Sequence, residues 1–413
     1  MKKFILSFSI GILCTRFLCA QGTWIQKANF LGVNRVGAIG FSVGNKGYIG
    51  TGHDGYIFYK DFWEWNPLTN TWTQKADFAG TAREAAIGFS IGTKGYIGTG
   101  IDNFPEKSPP HYTKDFWEWD QSTNTWNNKS DFPGGERASA AGFSIGTKGY
   151  IGTGEMYNTY VNDFWEWDQV TDSWSKKADL PASARHEAIG FSISNFGYIG
   201  TGEGNNPSSP FLQDFWEWNQ LTNTWTKKAN FISERAGAMG FSIGNKGYVG
   251  TGERYSQVLS CTTDFWEWDQ TNDIWKKVAD FGGQIRMGAI GFSIGQKGYL
   301  GLGINLGTIY NDFWEYTPSS ESTGMNEIKN NIDLNIFPNP SSNKVTINFS
   351  SSVKDKLQLK ITNSLGEIIY SESKKDFSGE YVNTFDLSQQ PKGVYFLEAI
   401  IGEERRTRKI ILQ

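Results

Sequence analysis

At 413 residues and a formal net charge of −4, with no long basic stripe, the chain is excluded from the nucleic-acid-binding classes that rely on a positive surface. Its three Cys are too few to staple a small secreted scaffold, so stability must come from a packed core. Gly is abundant at 48 and Trp at 17, and both are placed periodically.

Residues 1–20 come first and read as a secretory signal. Lys2 and Lys3 precede the apolar run from Phe4 to Leu13, and Leu18-Cys19-Ala20 offers a small-residue cut before Gln21. The run is too short to span a bilayer well, and Cys19 lacks the small residues that should precede a lipidated Cys. Cleavage leaves Cys261 as the sole Cys. With Lys2, Lys3 and Arg16 removed, 36 basic residues face 43 acidic ones, a net charge of −7. No transmembrane segment is expected in the mature chain.

The body of the chain is a repeat. Asp-Phe-Trp-Glu-Trp starts at Asp61, Asp115, Asp163, Asp214 and Asp264, and a sixth copy from Asp312 ends in Tyr316; the spacings are 54, 48, 51, 50 and 48 residues. A period near 50 in strand-like sequence indicates propeller blades. In the second copy the strands are Arg83–Ile91, Lys94–Gly100, Asp115–Trp119 and the piece beginning Thr125-Trp126. Tight turns join the first to the second and the third to the fourth. Along the third strand, Asp115, Trp117 and Trp119 share one face, with Phe116 and Glu118 on the other. First, second and third pieces occur six times, but the fourth follows only five of them. The missing one lies at the other end, in Thr23–Phe30, so the N-terminal strand is expected to close the ring and cover two open edges.

Residues 318–331 are polar and read as a linker. Residues 332–413 then alternate as short strands, including Ile332–Phe337, Val345–Phe349, Leu357–Thr362, Glu367–Tyr370, Gly393–Ile400 and Arg408–Leu412, the pattern of a small β-sandwich.

Two resemblances follow from these motifs. The second-strand Gly-Tyr-Ile-Gly-Thr-Gly, the Asn162-Asp-Phe-Trp-Glu-Trp-Asp168 stretch and Trp174 resemble the kelch repeat, as in the central domain of galactose oxidase, with Gly-Thr-Gly in place of adjacent glycines. The fold this implies is all-β: a six-bladed kelch-type β-propeller over residues 21–317, closed by the N-terminal strand, plus the small C-terminal β-sandwich. The tail, with Phe337-Pro-Asn-Pro340, Asn363-Ser-Leu-Gly366, Lys392-Gly-Val-Tyr-Phe-Leu397 and Lys409-Ile-Ile-Leu412, is similar to type IX secretion sorting domains of Bacteroidetes. That resemblance implies export through the periplasm by the type IX machinery, acting on residues 332–413, to the outer surface or the medium.

Strand alternation places the second-to-third loops on one face of the disc. Those loops vary, with 8 residues from His53 to Lys60 but 14 from Ile101 to Lys114, and variable insertions mark a binding face. Tyr157 and Tyr255 lie in them. Arg35, Arg83, Arg137, Arg185, Arg235 and Arg286 open the six first strands on the same face, where they could clamp a carboxylate or pair with blade carboxylates such as the Asp of the repeated motif. Glu155, Glu203 and Glu253 follow Gly-Thr-Gly nearby. These eleven residues are the candidate ligand site. The expected function is binding of a protein or glycan. The alternative is a carbohydrate-active enzyme, similar to a kelch-type sialic-acid epimerase, at an Arg-lined mouth. His53, His111, His186 and Cys261 sit in unlike contexts and do not reproduce a galactose-oxidase copper site, so no metal, cofactor or catalytic residue is assigned.

Overall fold

The computed structural model describes residues 22–102, 111–157, 159–208, 210–256, 258–319, 334–363, 366–401 and 404–413. The expected leader, and residues 320–331 of the expected linker, lie outside them. The described residues fall into two compact units, within Met1–Glu321 and Ser322–Gln413. Both are all-β, with antiparallel ladders and no helix among the described residues.

In the first unit each repeat becomes a four-stranded sheet. The first sheet holds Ile39–Val43, Lys46–Gly50, Phe62–Asn66 and Thr71–Gln74 in that order. A two-residue turn with Gly44 at a φ of 59° connects its first pair, as the twist of a tight hairpin requires. Five further sheets repeat the order. The sixth consists of Ile290–Ile294, Lys297–Gly301, Phe313–Thr317 and, from the far end of the chain, Thr23–Gln26.

Burial alternates along the strands. In Ile39–Val43 the odd-numbered residues are buried, and Phe62 and Trp65 are wholly so. Six apolar clusters result, each shared by two neighbouring sheets. One packs Phe41, Tyr48 and Phe62 against Ile97 and Trp119 of the second sheet, and another packs Phe292 and Phe313 of the sixth against Ile49 and Trp65 of the first. The glycine of Lys-Gly-Tyr makes this approach possible: a Cβ at Gly95 would collide with the ring of Phe41.

Hydrogen bonds trace the same closed cycle. The backbone carbonyls of Arg83, Arg137, Arg185, Arg235, Arg286 and Arg35 accept from Gly52, Gly100, Gly154, Gly202, Gly252 and Gly303 of the preceding sheets. At the outer edge the indoles of Trp72, Trp126, Trp174, Trp225 and Trp275 donate to carbonyls of the neighbouring sheet at 2.8–3.1 Å. Trp24 makes the equivalent bond to Ala279 at 3.1 Å and packs its ring on Phe265, Phe281 and Tyr316. Trp24→Ala is therefore expected to destabilise the first unit by about 3 kcal/mol. The same change at exposed Leu68 should have little effect, and equal denaturation midpoints for the two variants would refute this account of closure.

The expected first strand from Arg83 to Ile91 is broken in the structure. Arg83–Glu84 pairs with Ile101–Asp102 in a separate small ladder, Ala85 has a φ of 52°, and the main strand starts at Ile87. The left-handed residue turns the chain, so the Arg segment belongs to the loop face and not to the sheet.

In the second unit the expected strands Val345–Phe349 and Leu357–Thr362 are one strand, Lys344–Asn363, with register shifts after Ser351 and Asp355. Bulges bend a strand without ending it, so Val345, Ile347 and Phe349 share one core with Leu357, Leu359 and Ile361. The expected sandwich is built as one five-stranded sheet.

Candidate functional site

The six Arg of the loop face are 0–1% exposed. Each grips the Asp that opens the repeated motif in its own sheet: Arg35–Asp61, Arg83–Asp115, Arg137–Asp163, Arg185–Asp214, Arg235–Asp264 and Arg286–Asp312, at 2.5–2.8 Å through one nitrogen and 2.8–2.9 Å through the other. The first nitrogen also donates to the carbonyl of Thr51, Thr99, Thr153, Thr201, Thr251 or Leu302. Those six residues have φ of 57–61°, a conformation that costs a non-glycine residue roughly 1 kcal/mol. The middle residue of Gly-Thr-Gly thus presents its carbonyl to the Arg. The guanidinium carbon of Arg35, Arg83, Arg137, Arg235 and Arg286 lies 4.5–5.0 Å from a Phe ring; in the fourth sheet that ring is replaced by Leu180.

Of the two expectations for these residues, the pairing with the Asp of the repeated motif is the one the structure contains, and the Arg-lined mouth is corrected. Bidentate pairing and burial leave none of these six guanidinium forks facing a ligand, and the epimerase-like alternative loses the six Arg it relied on. The rest of the motif is also framework. The indole of Trp63 donates to Asp61 at 2.7 Å, and Glu64 accepts from the Tyr48 hydroxyl at 2.8 Å.

Six-fold regularity stops at the mouth. The residue after each Arg faces, across a short ladder, the residue after each Gly-Thr-Gly, or after Gly-Leu-Gly in the sixth sheet: Val36 with His53, Glu84 with Ile101, Ala138 with Glu155, His186 with Glu203, Ala236 with Glu253, and Met287 with Ile304. Inside this ring Gly37, Ala85, Ser139, Glu187, Gly237 and Gly288 all have φ of 52–66°. Each of the last five donates its N–H to the carbonyl of the residue before it in that series, at 2.8–3.3 Å. Below lies an axial channel of about 170 Å³, lined by triplets such as Ala38-Ile39-Gly40 from the six first strands. Glu187 is the sole charged member of the inner series.

The mouth is acidic on one side. His53 reaches Glu84 at 2.8 Å. His186 lies 3.7 Å from Glu155 and 3.5 Å from Glu203, and its ring stacks on Tyr160 at 4.2 Å. Burial raises the pKa of Glu187; the charge of His186 opposes this, while Glu203, Glu253 and Glu155 add to it. Glu253 is also raised, by burial and then by Glu203. On the other side the mouth is apolar. A cavity of about 320 Å³ is walled by Ile285, Met287, Ile304 and Leu306, with Glu253 and Cys261 opposite. Burial pushes the Cys261 thiol up to about 11, with Glu253 adding to the shift, so it is not a ready nucleophile at neutral pH.

Of the predicted residues, Glu155, Glu203 and Glu253 are thus brought to one mouth. Tyr157 is on the same face, its hydroxyl donating to Glu136 at 2.9 Å and its ring 4.8 Å from Tyr112. Tyr255 projects into solvent at 67% exposure. Sequence reasoning missed Glu84, Glu187 and the apolar wall. Aligning the repeats column by column would have found them, because the positions just after Arg and just after Gly-Thr-Gly are where the columns vary. Among the described residues no group of three His, Cys, Asp or Glu is arranged to hold a metal ion.

Comparison with known proteins adds two findings. Residues 335–413 match the family described as "Secretion system C-terminal sorting domain". The chain carries a type IX sorting tail and is exported to the cell surface or the medium. A solved structure titled "Structure of YjhT" is similar over 71% of this chain and 98% of its own, with a TM-score of 0.62 and 17% identity, a likeness that concerns the fold alone. No curated protein matches.

Proposed function

We propose that residues 21–317 form a six-bladed kelch-type propeller closed by Thr23–Gln26, and that this propeller is a binding module. It recognises a protein or glycan through its variable-loop face and reaches its site of action through the sorting tail. One observation carries the reading: the scaffold columns repeat six times, while the mouth columns differ from sheet to sheet. A ligand without six-fold symmetry selects for such differences, whereas packing does not. Glu155, Glu203, Glu253, Tyr157 and Tyr255 remain its candidate contacts, joined by Glu84 and Glu187. The Arg set is framework.

The test is a glycan and surface-protein array probed with the mature chain. A bound member should be lost with Glu203→Gln or Tyr157→Ser and kept with Leu68→Ser, on a third-to-fourth turn. Binding insensitive to the loop-face changes would overturn the proposal, and so would turnover of an acidic sugar.

A further inference from the structure

The 320 Å³ cavity between the fifth and sixth sheets is at the small end of the range for ligand pockets. Three of its features are not explained by the fold. Its four aliphatic walls meet a single carboxylate and no cation. That carboxylate, Glu253, has no hydrogen-bond or ion-pair partner among the described residues, although Glu84, Glu155 and Glu203 each face a His. A half-buried, unpaired carboxylate is costly unless something positive meets it.

The third feature is Leu306. It sits at the tip of the hairpin Ile304–Ile309, 95% exposed, with a φ of 46° followed by Gly307 at 81°. Asn, Asp or Gly is the ordinary residue at that turn position. A leucine there is both strained and solvated, two costs that packing within the chain does not repay. Ile285, on the same wall, is 38% exposed.

Resting on the reading of the loop face as the binding face, we propose that this pocket seats a basic–aliphatic segment of a protein partner. An Arg or Lys side chain inserts so that its cationic head meets Glu253, and the flanking aliphatic residues cover Ile304 and Leu306. Charge complementarity selects the cation: Glu253 is the single charged residue among those lining the pocket, and the Arg286 guanidinium of the sixth sheet is already committed to Asp312. The exposed rim selects a polypeptide over a free amine.

The probe is a fluorescent acetyl-Leu-Arg-Leu-Ile-amide peptide titrated into the mature chain by anisotropy. Its Glu-for-Arg counterpart and 4-phenylbutylamine serve as competitors. The Arg peptide should bind, with affinity falling at least tenfold in Glu253→Gln, and also in Leu306→Ser, and weakening as NaCl rises from low to high concentration. The Glu peptide should not compete. Absence of binding, equal binding of the Arg and Glu peptides, unchanged affinity in Glu253→Gln, or competition by the free amine as strong as by the peptide would each overturn the proposal. The broader reading fails separately. If an array ligand is lost with Glu203→Gln or Tyr157→Ser but unchanged in Glu253→Gln, only the pocket assignment falls. If no loop-face substitution affects that ligand, both fall.

Discussion

Asp214→Asn is expected to destabilise the first unit by about 3–5 kcal/mol, because it leaves the Arg185 guanidinium buried without a counter-charge. For a domain of this size that lowers the melting temperature by roughly 10 °C. Arg185 is wholly buried and Asp214 only one-fifth exposed, so solvent screening recovers little. The loss reaches beyond one sheet. The same Arg backbone carbonyl accepts from Gly154 of the preceding sheet, and Asp214 accepts from the Trp216 indole at 2.7 Å. Replacing both partners, as in Arg185→Met with Asp214→Leu, should recover much of the stability, since no orphaned charge remains. Asp179→Asn, which removes an exposed pair with Lys176, should cost under about 1 kcal/mol.

The pH dependence follows from the same contact. Burial acts to raise the Asp214 pKa, but the hydrogen bonds and charge of Arg185 outweigh it, and the net shift is downward. A carboxyl whose pKa falls on folding contributes fully above the ordinary value near pH 4 and loses that contribution as the pH drops below it. The gap between wild type and Asp214→Asn should therefore be constant at neutral pH and shrink under acid. A melting difference below about 2 °C at pH 7, or one that widens on acidification, would show that the pair is not a structural tie.

Deleting residues 322–413 is expected to abolish surface display almost completely and to strand the protein in the periplasm. The tail has its own apolar core, from Leu334 and Val345 to Ile410 and Leu412, and forms its own compact unit. The deletion therefore removes an address without cutting into the six sheets. Cell fractionation with surface proteolysis reads the result. Unaltered display of the truncated chain would contradict the export role that residues 335–413 carry by family.

Much of the scaffold is legible in the order of the residues. Period-two alternation places Asp61, Trp63 and Trp65 on one face of a strand, and the Trp63 indole does meet the Asp61 carboxylate two residues away. Counting pieces shows that the fourth strand of the last repeat is missing and that Thr23–Phe30 can supply it. Both inferences use local spacing or simple counting, which a linear sequence carries directly. Two features are hidden from such reasoning, and for the same cause. Arg83–Ile91 has the pattern of one strand because nothing at Ala85 announces a left-handed φ, and the sequence leaves open whether the six Arg face a ligand or pair with the Asp of the motif because those partners lie 26 to 32 residues away.

Neighbouring residues at fixed spacing encode the repeat, the strand order within it and the closing strand, and the tail's motifs imply export through their resemblance to sorting domains; each of these can be read without knowing what touches what. Which charged residues are spent and which are free follows only from the folded chain. Closing six sheets into a cycle buries every Arg against its own Asp, and it gathers single, non-repeating residues from different sheets around one mouth. That gathering depends on contacts between residues far apart in the chain, so the unpaired Glu253 and the exposed Leu306 acquire meaning only once the cycle is closed.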